Sequence, residues 1–162
     1  MRESTKYVMD RITHSLIELM NETPIGNISI CAVIDNAEVS RNSFYRHFQD
    51  KDDILRYYIS SETEQWLSRT GMNYLNASSP QDYIVFLLNH LYEYRSIIDL
   101  LIRDNKMSLL EEEFDKQFNA NLSSVTDPWH IAFTIGGFYK LFCYWAKTGY
   151  EKTPEEIAAY IK

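Results

Sequence analysis

Ser29-Ile30-Cys31-Ala32-Val33-Ile34-Asp35-Asn36-Ala37-Glu38-Val39-Ser40-Arg41-Asn42-Ser43-Phe44-Tyr45-Arg46-His47-Phe48 reads as two short helices joined by a tight turn. Ser29 stands just before Ile30, Val33, Ile34 and Ala37, whose three-and-four spacing marks one buried helical face, and its hydroxyl suits the cap. Ser40 caps the second helix in the same way, and Phe44 and Phe48 fall one turn apart on its inner side. With those rings turned inward, Arg41, Asn42, Ser43, Tyr45, Arg46 and His47 remain outside. They crowd hydrogen-bonding groups onto barely two turns, and such donors suit phosphate oxygens and guanine edges. The first residues of a reading helix enter the major groove, so Arg41 and Asn42 are expected at bases, and Tyr45, Arg46 and His47 along the phosphates. Ser29 and Ser40 are expected to direct their helices' free amides at the backbone.

Working outward, Asp50 is the expected cap of the next helix, with Asp53 at its third position and Lys51 placed for a phosphate. On the other side, residues 4–22 carry Val8, Ile12, Leu16 and Leu19 or Met20 as a stripe that roofs the pair. The expected unit is a three-helix head with a helix-turn-helix inside it.

Three pieces of this region resemble the amino-terminal domain of the TetR family of bacterial transcriptional regulators: Ala37-Glu38-Val39-Ser40, Phe44-Tyr45-Arg46-His47-Phe48 and Lys51-Asp52-Asp53-Ile54-Leu55. The resemblance spans residues 5–59. It implies that Arg41 and Asn42 face bases and that Tyr45, His47 and Lys51 hold the backbone. It also implies a ligand in the carboxy-terminal region that moves the heads and releases DNA. The chain departs from the pattern at Glu38, where the family's turn carries glycine; a left-handed backbone there costs a side chain roughly 1 kcal/mol.

Composition bounds the wider reading. The chain has 162 residues, 45% hydrophobic and 24% charged, which fits a globular protein with a real core. Its net charge of −7 argues against indiscriminate nucleic-acid binding, so any DNA contact rests on the local cations Arg41, Arg46 and Lys51. Without a run of eighteen apolar residues or a signal-peptide pattern, the expected location is the cytoplasm, away from membranes. Cys31 and Cys143 lie far apart in apolar helical contexts and read as small hydrophobes.

Beyond residue 50 the pattern is helical throughout, so the expected fold is all-α, with residues 1–49 as the DNA-binding head and 50–162 as a helical effector and dimerisation domain. Ile54, Leu55, Tyr58 and Ile59 extend a long helix towards Gly71. After the Asn76–Pro80 break, residues 81–103 are expected to bend near Arg95 and Ser96, and residues 107–122 form a more polar helix. Asp127 and Pro128 open the most apolar helix, 128–148, and Thr153-Pro154-Glu155-Glu156 is a capping box. The 128–148 helix is apolar on more faces than one small core uses, and Gly136 and Gly137 need a packing reason. Ile135, Phe138, Phe142 and Trp145 are therefore expected at a homodimer interface. The late helices also resemble, loosely, the family's carboxy-terminal dimer bundle. Phe86, Phe114, Phe118, Trp129 and Phe133, with Tyr74 and Tyr83 near them, are the expected lining of a pocket for a small apolar or aromatic effector.

Catalysis finds no support. His14, His47, His90 and His130 lack metal-type spacing, and no phosphate-binding glycine loop or nucleophile elbow occurs. Neither a metal nor a cofactor is expected, and Glu111 to Glu113 with Asp115 reads as a solvated face. The expected function is a homodimeric, sequence-specific regulator on a palindromic double-stranded operator, most simply a repressor released by an effector. The rival is a helical co-regulator that has lost DNA binding and pairs with another regulator; a salt-dependent DNA titration separates the two.

Overall fold

A computed structural model of the chain describes residues 5–71, 77–122 and 127–160, apart from the side chains of residues 121 and 122. Among the described residues there are nine α-helices and no strand: α1 (Thr5–Glu22), α2 (Ile30–Asn36), α3 (Arg41–His47), α4 (Lys51–Thr70), α5 (Pro80–Glu93), α6 (Arg95–Arg103), α7 (Met107–Leu122), α8 (Pro128–Lys147) and α9 (Pro154–Ala158). A 3-10 turn, Ile25–Asn27, joins α1 to α2. Ser4, Tyr74 and Asn76 lie outside the described residues.

The capping signals act where the sequence places them. The hydroxyls of Ser29 and Ser40 accept the backbone N–H groups of Ala32 and Ser43, both at 3.0 Å, and Ser79, without a matching sequence expectation, caps α5 by accepting from the Asp82 N–H at 3.1 Å. Thr153 and Glu156 form the reciprocal capping box at 3.3 and 2.8 Å. Gly71 ends α4 in the left-handed conformation, φ +61°, which glycine enters without a Cβ clash. The bend in 81–103 falls at Tyr94, which closes α5 and opens α6.

In the head, α1 packs on α2, α3 and α4. Val8, Ile12, Leu16 and Met20 meet Val33, Ile34, Phe44, Phe48, Ile54 and Leu55 in one core, with Leu19 at its margin. Burying each of these larger apolar side chains stabilises the fold by roughly 1.5–3 kcal/mol. A polar seam runs beside it. Ser15 Oγ donates to the Val33 carbonyl at 2.9 Å, while the Asn36 amide donates to Ser15 Oγ and to Glu18, both at 3.1 Å.

The carboxy-terminal helices pack as α4 on α7, α7 on α8, α6 on α8 and α5 on α9. Helix α4 belongs to both halves by its contacts. Tyr57 donates to Asp10 of α1 at 2.9 Å, and Arg56 pairs with Glu112 of α7 at 2.9 Å. The α6–α7 turn also grips the head. The Ile25 N–H donates to the Asp104 carboxylate at 3.1 Å, and Lys106 pairs with Asp52 at 2.7 Å. The Arg103 guanidinium beside Asp104 and the bond from Ile25 hold that carboxyl below the usual range, despite its burial.

Candidate nucleic-acid interface

Helix α3 stands on two buried rings. Phe44 and Phe48 are 0% and 3% exposed, lie 6.2 Å apart, and continue into Tyr57 of α4 at 5.8 Å from Phe48. This anchoring fixes the rotation of α3 and leaves Arg41, Asn42, Tyr45 and Arg46 exposed, with Ser43 and His47 half-buried beside them. The Arg41 guanidinium lies 6.0 Å from the centre of the Tyr45 ring, and Arg46 donates to Ser43 Oγ at 3.4 Å. Each cation is thus loosely braced on its own helix while its remaining donors face outward. The capping hydroxyls of Ser29 and Ser40 accept backbone N–H groups, which leaves each a proton to donate.

Lys51 departs from the expectation. Its ammonium donates to the carbonyls of Ile25 and Ile28 at 2.5 and 2.6 Å, and the side chain is half-buried. Two of its three protons serve the end of the 3-10 turn, so the residue positions α2 rather than reaching freely for a phosphate. The start of α4 is also self-satisfied: Asp50 accepts from the Asp53 N–H at 2.9 Å, and Asp53 from the Gln49 N–H at 3.0 Å. That end of the helix already holds carboxylates where an anion was expected.

The turn between α2 and α3 has the left-handed backbone that the missing glycine implied. Glu38 sits at φ +50°, and its carboxylate pairs with Arg11 at 3.1 Å. The strain is roughly 1 kcal/mol, and an ion pair this exposed offsets it only in part. Arg11, 27 residues away on α1, had no sequence signal that linked it to the turn.

The carboxy-terminal expectations need two corrections. Ile135, Phe138, Phe142 and Trp145 are 4%, 5%, 0% and 2% exposed, buried in the monomer's own core against α6 and α7, so they do not form an outer face. The helical period gave the stripe, but it does not say which apolar side meets the chain's own core. The side of α8 left open carries Trp129, Phe133 and Tyr144 at 85%, 81% and 70% exposure. Trp129 and Phe133 therefore stand apart from the cavity that Phe114 and Phe118 border. Of the five rings expected around an effector, Phe114 and Phe118 border a cavity of about 50 Å³ between α4, α5 and α7, and Phe86 stacks behind it on Trp66 at 4.9 Å. Cys31, expected as a small hydrophobe in an apolar context, is exposed, and Cys143 is half-buried.

The histidines are scattered. His14 Nδ1 is hydrogen-bonded to the Asp10 carbonyl at 2.7 Å, and His130 is exposed at the start of α8. His90 is buried, its Nδ1 has no hydrogen-bond partner among the described residues, and burial together with Arg69 pulls its pKa down to about 4. No group of metal-ligating residues occurs among the described residues, and none of their helices is long and apolar enough to cross a membrane.

A capped pair of short helices, roofed by a third and presenting a cationic, polar second helix, is a helix-turn-helix head of a DNA-binding transcriptional regulator. Residues 12–58, from α1 through the first turns of α4, match the family described as bacterial regulatory proteins, tetR family, and the head belongs to that family. A comparison with curated proteins finds no match.

Proposed function

We propose that the protein is a homodimeric, sequence-specific repressor of the cytoplasm that occupies a palindromic operator and is released by a small effector. The observation that carries the reading is the exposed row Arg41, Asn42, Tyr45 and Arg46 on a helix fixed from beneath by Phe44 and Phe48, inside the matched segment. Arg41 and Asn42 read base edges. Ser29, Ser40, Ser43, Tyr45, Arg46 and His47 hold the phosphates.

The second copy docks on the open side of α8. Trp129, Phe133 and Tyr144 share one helical stripe with Gly136 and Gly137, at which an added Cβ would meet nothing within 4 Å. Each glycine costs the helix roughly 1 kcal/mol relative to alanine, and none of the described residues uses the space they leave. A partner helix approaching that stripe supplies the missing reason. Two heads related by a two-fold axis then meet half-sites about 34 Å apart, or a multiple of that.

Footprinting on the DNA flanking the protein's own coding sequence, repeated over a series of salt concentrations, tests this. A protected palindrome whose affinity falls steeply with salt supports it. Uniform weak binding with no protected site refutes it and favours a co-regulator that does not read DNA.

A further inference from the structure

The turn between α2 and α3 closes as a helix stop that glycine ordinarily completes. The Glu38 N–H donates to the Asp35 carbonyl at 3.1 Å and the Val39 N–H to the Ile34 carbonyl at 3.2 Å, the paired bonds of a left-handed end. A residue with a Cβ holds φ +50° only under strain, so the turn relaxes unless a group outside it opposes the change. Arg11 of α1 opposes it twice. Its guanidinium donates to the Glu38 carboxylate at 3.1 Å and to the carbonyl of the same residue at 3.4 Å. The Tyr7 ring, one helical turn earlier, braces that guanidinium with its centre 5.8 Å from Cζ.

Where α3 is otherwise anchored gives this contact its consequence. The buried rings Phe44 and Phe48 come from the middle and the end of the helix, whereas Arg41 and Asn42 precede both and follow directly on the turn. Val39, between the turn and the helix, is only half-buried. The rings fix the rotation of α3, and the turn fixes where its first residues point. We propose that Arg11 is a positioning residue for DNA reading, which clamps the strained Glu38 turn to α1 so that Arg41 and Asn42 meet the groove at one angle. The proposal rests on the reading above in which those two residues contact bases. An exposed ion pair is worth at most about fivefold in an equilibrium, so the clamp orders one turn and does not hold the head together.

Arg11→Met, Glu38→Gly and the double variant of the full chain are titrated against the footprinted operator and against a scrambled duplex of equal length and composition. Amide hydrogen exchange is followed on the same samples. Methionine keeps much of the stem that packs beside Tyr7 and loses the guanidinium. Arg11→Met should lower the ratio of operator to scrambled affinity by roughly three- to fivefold and speed exchange of the Val39 N–H by a similar factor, with helicity unchanged. Glu38→Gly should keep the ratio, and adding Arg11→Met to it should change nothing further, because glycine holds the turn without a clamp. A loss of equal size on both duplexes that persists in the Glu38→Gly background makes Arg11 a plain phosphate contact and overturns the proposal. An unchanged ratio and unchanged exchange in Arg11→Met overturn it as well. Glu38→Gln, which keeps the strained turn and removes the charge, makes the same comparison should Arg11→Met not fold. The unaltered protein separates the two readings: no preference for any duplex refutes sequence-specific reading itself, whereas a preferred operator with an indifferent Arg11→Met refutes the clamp alone.

Discussion

At the scale of single residues, Arg41 and His90 show what exposure does to a polar side chain. Arg41 leaves the chain from an anchored helix with its guanidinium in solvent, held only loosely over Tyr45. Arg41→Ala should cost about 1–3 kcal/mol of operator affinity and relax the preference at one base position, read by titration against single-base operator variants. His90 has the opposite fate. Burial favours its neutral form, so the unfolded chain binds more protons than the folded one between the ordinary value of 6.5 and about 4. Its contribution to stability is complete above 6.5 and falls as the pH drops through that window, by at most about 3 kcal/mol. Denaturant melts at pH 7 and pH 4.5 should show this loss, and His90→Phe should remove most of it. The Asp104 contribution has the same sign but is lost lower, below the ordinary carboxylate range.

Elements are positioned by groups that their own sequences do not announce. The reading helix is a case in which they do: Ser40, Phe44 and Phe48 specify its start, its inner side and hence its outward row. The segment from the 3-10 turn into α2 is a case in which they do not, since it hangs on Lys51 and Asp104, 23 and 79 residues away from the backbone groups they hold. Lys51→Ala should therefore lower stability by about 1–3 kcal/mol, seen as an earlier thermal transition, because two carbonyls lose their charged partner. The salt dependence of DNA binding by the folded variant should keep its slope. A slope reduced by one phosphate contact would return Lys51 to the interface.

For the whole molecule, the decisive surface is the open stripe of α8. Three large aromatic side chains in water on one helix have little reason to stand there in a lone monomer. Phe133→Asp should yield monomers in analytical ultracentrifugation with helicity intact, and should weaken binding to a full palindrome far more than to a half-site. A variant that sediments like the parent would refute the α8 interface. The α6–α7 turn completes the picture, since its bonds to Ile25 and Asp52 tie the bundle to the 3-10 turn and to the start of α4.

The sequence alone determined what local chemistry can encode: the caps at Ser29, Ser40, Asp50 and Thr153, the bend near Arg95, and the inner rings of α3. Each depends on neighbours within about one turn, and there spacing and side-chain type suffice. Tertiary structure alone decided which apolar side of α8 faces its own core, that Lys51 turns inward to carbonyls, and that Trp129 and Phe133 stand apart from Phe114 and Phe118. Those outcomes depend on which distant helix arrives at a given face, and an apolar stripe carries no label that distinguishes its own chain's core from a partner's.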